Sequence, residues 1–204
     1  MNEATLSHLR NIDPILGQLI ARIGPMTFEP SPERSPFKCL VTSIAHQQLS
    51  GKAANTILKR FIDLWPGADF PTPEQVLAVE ADRIRAAGFS RPKVSYIRDI
   101  AEKTVAGIVP ASREIHRMGD EEIVERLTSI KGVGRWTVEM LLIFKLGRPD
   151  VLPIHDLGVR KGFARAFRKR KLPAPEQLAK HGERWRPYRT TASWYLWRAA
   201  DAED

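Results

Sequence analysis

Leu127-Thr128-Ser129-Ile130-Lys131-Gly132-Val133-Gly134-Arg135-Trp136-Thr137 joins two helical patterns through a short turn that holds two glycines. Upstream, Asp120 to Ile130 repeats apolar residues at three- and four-residue spacing. Downstream, Arg135 to Leu146 offers Val138, Leu141, Leu142 and Phe144 for burial. The segment therefore reads as helix, hairpin turn, helix. Gly132 and Gly134 let the backbone come close to a ligand. The free N–H groups at the start of the second helix point outward with the positive end of its dipole behind them. Such a turn suits a phosphate oxygen, with Lys131, Gly132, Val133, Gly134, Arg135 and Thr137 as the contacting residues. On the glycine spacing alone, a tight helix–helix corner explains the pattern equally well.

Outward from this hairpin the chain is all-α, because Ala, Leu, Arg, Glu and Lys dominate and alternating strand-like runs are scarce. A first helix is expected over Thr5 to Ile23, ended by Gly24-Pro25. An extended connector with Pro30, Pro32 and Pro36 follows. Helices are then expected over Phe37–Gln48 and Lys52–Leu64, and from Pro73 with Thr72 as its N-cap. A short helix ends at Gly88, and others cover Ser90–Gly107, Asp120–Ile130, Arg135–Leu146, Leu157–Phe167, Pro175–His181 and Tyr188–Ala200. No internal repeat or low-complexity tract appears, so a single two-lobed unit spanning 1–204 is the expected organisation.

Composition narrows the function class. The chain has 204 residues with 32 basic against 24 acidic side chains, a net charge of +8 and a pI near 9.9, so nucleic acid leads among partner classes. Hydrophobic residues make up 43%, enough for a core, and no apolar run is long enough to span a membrane. The first residues carry acidic and polar groups where a secretory signal would be basic and then apolar, so a cytoplasmic protein is expected. Cys39 is the single cysteine, which leaves no internal disulfide, no cysteine zinc site and no four-cysteine iron–sulfur cluster. Nothing in the pattern demands a second copy, so a monomer is expected.

Beyond Gly147, a loop from Arg148 to His155 delivers Asp156 at the head of the next helix. By position Asp156 is either an ordinary N-cap or a carboxylate set close behind the hairpin. Here the chain resembles the helix-hairpin-helix DNA glycosylases, in their 3-methyladenine DNA glycosylase II branch. The resemblance is carried by Leu-x-x-Ile-Lys-Gly-Val-Gly-Arg-Trp-Thr-Val and by Asp156 about twenty residues beyond the hairpin. It is also carried by Ile44-Ala45-His46-Gln47-Gln48-Leu49-Ser50-Gly51-Lys52-Ala53-Ala54, by Gly88-Phe89-Ser90-x-x-Lys93-x-x-Tyr96-Ile97, and by Glu183-Arg184-Trp185-Arg186-Pro187-Tyr188-Arg189 with Trp194 and Trp197. Together these pieces cover nearly the whole chain.

The resemblance implies a six-helix lobe over 36–145, a second lobe from 1–35 plus 146–204, and an active site in the cleft between them. It implies hydrolytic removal of alkylated purines, such as 3-methyladenine and 7-methylguanine, from double-stranded DNA. Asp156 would be the carboxylate that stabilises positive charge on the sugar. Trp136 and Trp197 would line the base pocket, stacking on an electron-poor purine, with Met140 one turn beyond Trp136 on the same face. Trp185 and Trp194 read better as core, and His155 as a local hydrogen-bonding residue. Gln47, Gln48 and Leu49 are candidates to fill the space a flipped base leaves, with Gln48 and Leu49 preferred. Arg160 and Lys161, with Arg165 and the run Arg168 to Lys171, are candidates for phosphate contact. Carbonyls of Ile130 and Val133 would hold a structural Na+ or K+, with no other cofactor.

Relatives that also cleave the strand carry a lysine immediately after the hairpin Arg; that position is Trp136, so no Schiff base forms there and an abasic site is the expected product. A non-catalytic helix-hairpin-helix module that only grips DNA is the competing reading. Asp156, the aromatic pair and the Gln-Gln segment favour the enzyme, because phosphate binding needs none of them.

Overall fold

The computed structural model describes residues 3–31 and 35–202; Pro32 of the expected connector lies outside them. In chain order the helices are α1 (Glu3–Ile12), α2 (Pro14–Ile23), α3 (Pro36–His46), α4 (Gly51–Ile62), α5 (Pro73–Ala78), α6 (Ala81–Ala86) and α7 (Arg91–Val105). They continue as α8 (Ser112–Ile115), α9 (Asp120–Thr128), α10 (Arg135–Phe144), α11 (Leu157–Ala166), α12 (Pro175–Gly182) and α13 (Arg189–Asp201), with a short 3-10 turn at Glu183–Trp185. No strand occurs among the described residues, so the fold is all-α.

The expected first helix is in fact two. Pro14 has no N–H to continue the ladder, and Asp13 restarts it: its Oδ1 accepts the N–H groups of Ile15 and Leu16 at 3.2 Å each. Helix α3 stops at His46, two residues before the expected end, because Gln47 turns to ψ 126° and Gln48 takes a left-handed φ of +57°. The single turn α8 was not anticipated; four residues are too few for a periodic signal. At α5 the expected start is observed in full, with Thr72 and Gln75 capping each other and Pro73 at the first position.

Two compact units make up the chain: Met1–Ser31 with Leu142–Asp204, and Pro32–Leu141, so that α10 begins in the second and ends in the first. In the Pro32–Leu141 unit, Cys39, Leu40, Val41 and Ile44 of α3 are buried with Ile97 and Ile100 of α7 and Leu127 of α9. Phe61 is fully buried, edge-on to Trp65 at 5.3 Å and to Phe89 at 5.6 Å. Each such side chain contributes roughly 1.5–3 kcal/mol by burial.

The other unit packs α1, α2, α11, α12 and α13 around Leu9, Leu16, Ile20, Phe163, Trp185, Tyr195 and Leu196. Helices α11 and α13 meet backbone to backbone: a Cβ at Gly162 would overlap the Leu196 carbonyl. Asp13, 2% exposed, anchors this core, its Oδ2 accepting from Trp185 Nε1 at 2.9 Å and lying 2.8 Å from His181 Nε2. Burial alone would raise the Asp13 pKa. The hydrogen bonds from His181, Trp185 and the Leu16 N–H together outweigh it and hold the carboxyl below its ordinary value. Trp185 is thus core, as expected, and Trp194 packs partly buried against the same cluster.

Candidate active site

The hairpin between α9 and α10 holds both glycines, in different surroundings. Gly132 has φ +78°, and a Cβ there would overlap the Tyr96 ring of α7, so packing alone requires glycine. Gly134 has no such φ, and a Cβ there would meet nothing within 4 Å. Neither packing nor backbone conformation requires glycine at Gly134. Among the described residues the N–H groups of Gly132 and Gly134 donate to no protein group.

Other members of the expected phosphate seat are committed inside the protein. The Lys131 N–H donates to Asp99 Oδ2 at 2.8 Å, and the Val133 N–H to the Ile130 carbonyl at 3.1 Å. Arg135 holds Glu121 of α9 through both guanidinium nitrogens, at 3.1 and 2.8 Å, a pairing that raises its pKa. Thr137 is 6% exposed and faces inward. Outside the hairpin, Arg160 donates from Nε and Nη2 to the Pro173 carbonyl at 3.0 and 2.9 Å, while Lys161 is exposed.

Trp136, at the start of α10, is 49% exposed and forms one wall of a pocket of about 470 Å³. Met140 and Thr137 share that wall, and Ser43, His46, Gln47 and Gln48 from the end of α3 face them. The opening is more apolar than polar and sized for a nucleobase. His46 and Ser43 are pocket residues that sequence reasoning missed; both lie in or one turn before the quoted Gln-Gln segment, the signal that was available.

The end of α3 is held by Lys93, whose Nζ donates to the carbonyls of Ala45 and Gln47 at 3.0 and 2.7 Å; its own burial lowers its pKa. Gln47 reaches the hairpin, its Nε2 donating to the Gly132 carbonyl at 3.0 Å. Of the three wedge candidates, Gln47 is therefore a brace, whereas Gln48 and Leu49 project into solvent just beyond it.

Asp156 sits in the other unit as N-cap of α11. Its Oδ1 accepts the Val159 N–H and the Trp197 indole N–H, each at 2.8 Å. Trp197 stacks on Phe144 at 5.6 Å and 29°, and Gly158 leaves the space: a Cβ there would lie 2.8 Å from Trp197 Cδ1. The loop that delivers Asp156 is fastened to the start of α13. Val151 N–H donates to Thr190 Oγ1 at 3.0 Å, Thr190 Oγ1 to the Arg148 carbonyl at 2.6 Å, and Arg189 grips Asp150. The carboxylate is partly exposed and rigidly aimed, as a charge-stabilising group must be. His155 beside it is exposed.

No group of three or more His, Cys, Asp or Glu side chains able to hold a metal exists among the described residues.

Comparison with known proteins fits this geometry. The family model of the HhH-GPD superfamily base excision DNA repair proteins matches residues 41–187. The DNA-3-methyladenine glycosylase 1 of Schizosaccharomyces pombe is 42% identical over 97% of this chain and 87% of its own length. An alkylbase DNA glycosidase-like protein of the same yeast is 37% identical over 94% and 90%. The solved structure of the yeast 3-methyladenine DNA glycosylase in complex with abasic DNA superposes with a TM-score of 0.85 at 40% identity, covering 98% of this chain and all of that one. The helix-hairpin-helix, the capped and braced Asp156 and this match across the chain make it a member of the HhH-GPD superfamily of base excision DNA repair proteins.

Proposed function

We propose that the protein is a monofunctional DNA glycosylase that extrudes alkylated purines from duplex DNA and hydrolyses their N-glycosidic bond, leaving an abasic site. The observation that carries the reading is Asp156: a partly exposed carboxylate fixed by two N–H donors, in a chain 42% identical to a 3-methyladenine glycosylase.

Breaking the N-glycosidic bond builds positive charge on the sugar. A preorganised carboxylate beside the anomeric carbon stabilises that charge without reorganising, and it orients the attacking water. The proposed base pocket is the opening beside Trp136. An indole face attracts a cationic purine by roughly 1–2 kcal/mol when water is excluded. Such a base is already a good leaving group, so one carboxylate suffices. Gln48 and Leu49 would occupy the vacated stack. Gly134, with the amides at the start of α10, would seat a phosphate, while Lys131 and Lys161 contribute exposed charge. Trp136 carries no amine, so the sugar is not trapped as a Schiff base and the strand stays whole.

A single copy contains every residue named. A Na+ or K+ on the carbonyls of Ile130 and Val133 belongs to this reading: Ile130 O accepts one N–H, and neutral carbonyls with a second lone pair suit a monovalent ion. The place of action is the DNA, in the cytoplasm.

The test is release of free base from methylated duplex DNA by the wild type and by Asp156→Asn, with strands checked before and after alkali. Asparagine keeps the cap, so the variant folds. Its release is expected to fall at least about 100-fold with binding retained, and nicks should appear only after alkali. Tight, salt-sensitive binding without base release by the wild type would instead mark a DNA-binding module.

A further inference from the structure

Lys169, Lys171, Lys180 and Arg184 surround an opening of about 680 Å³ in the unit that carries Asp156, and no acidic side chain lines it. All four are exposed, and none has an ion-pair partner among the described residues. Several other cations of that unit are held by acids: Arg186 and Arg189 grip Asp150 and Glu183, Arg10 pairs with Glu3, and Arg198 with Asp201. His181 also lines the opening, but its acidic partner Asp13 is buried beneath it. Four cations without ion pairs and no acid thus meet around one opening.

The place is built. Arg168 takes a left-handed φ of +51°, the Lys169 N–H returns to the Ala164 carbonyl at 2.8 Å, and Arg160 clamps the Pro173 carbonyl. The loop bearing Lys169 and Lys171 is therefore pinned at both ends. Leu172, 42% exposed, adds apolar surface between the cations. Four separate, solvent-facing cations around apolar carbon match a strand of phosphodiesters and sugars better than one small anion, which wants convergent, buried donors. The opening surrounds the carboxyl end of α11. Asp156 caps the amino end, about 15 Å away along a ten-residue helix.

We propose that this opening is a second DNA-backbone site, which holds a duplex segment other than the one whose base reaches Asp156. The inference rests on DNA being the partner, as proposed above, and extends it: a protein with two backbone sites passes from one duplex segment to another without leaving DNA.

The experiment uses the full chain and its quadruple variant Lys169→Ala, Lys171→Ala, Lys180→Ala, Arg184→Ala, with thermal melts confirming that the variant folds. Sedimentation with excess short undamaged duplex at low salt should give two duplexes per wild-type protein and one per variant. The second binding step should weaken with salt at a slope of up to roughly −3 to −4 if each cation meets one phosphate. Base release from a saturating short methylated duplex by the double variant Lys180→Ala, Arg184→Ala, which leaves the Arg168–Lys171 run intact, should stay within about twofold of wild type. One duplex per wild-type protein, or two on the variant, overturns the proposal. So does a variant whose loss appears in the first binding step, since that assigns the cations to the lesion-bearing duplex. Failure of the wild type to release any base would sink the glycosylase reading while the stoichiometry still decided this one.

Discussion

Asp156 Oδ1 takes one N–H from three residues away and one from forty-one residues away, and the two have different consequences. The Val159 bond is an ordinary helix cap, legible from an Asp at the head of a periodic segment. The Trp197 bond is not legible, because nothing in a local pattern says which side chain of a distant helix will face that cap. Trp197 was read as a platform for the base; here its ring rests on Phe144 and its N–H aims the carboxylate. Trp197→Phe keeps the ring and removes the donor. A hydrogen bond to a charged acceptor is worth about 1.5–3 kcal/mol, so single-turnover base release at saturating DNA should fall roughly 10- to 100-fold. DNA affinity should hold. Loss of thermal stability with an unchanged rate would make Trp197 a packing residue only.

Helices and turns carry the next lesson, through two glycines that look alike in sequence. Gly132→Ala must strain a positive φ and displace Tyr96, and is expected to destabilise the fold by more than about 2 kcal/mol. Gly134→Ala meets open space, so denaturant unfolding should change by less than about 1 kcal/mol while DNA affinity drops several-fold. Equal effects of the two on stability, or no effect of the second on binding, would remove Gly134 from the phosphate seat. The helix–turn–helix pattern itself was plain because its periodicity is long on both sides. The break at Asp13 was also written locally, as an N-cap followed by proline, but apolar spacing carries straight through it. What no local pattern reveals are the braces between elements, such as Asp99 to the Lys131 amide, Lys93 to the end of α3 and Arg160 to Pro173. The last engages two nitrogens of Arg160, a guanidinium whose place on the helix after Asp156 had offered it for phosphate contact.

For the molecule as a whole, acid stability should depend on Asp13. Its folded pKa lies below the unfolded one, so its contribution is complete above the ordinary value of 3.8 and is lost as pH falls through the depressed folded value. Asp13→Asn should therefore lower stability at neutral pH by about 2–3 kcal/mol and flatten the acid limb of a stability–pH curve; an unchanged limb would assign acid unfolding to other carboxylates. The buried Cys39, 5% exposed in α3, has a different use. A lone thiol sealed in one unit is a native reporter: a colourless reagent that colours on thiol exchange reaches it only when α3 opens. At neutral pH the reaction should run at least about 1000-fold slower than in denaturant. Its rate, followed with and without duplex DNA, reads how strongly the ligand clamps that unit shut, with no dye attached and no residue changed.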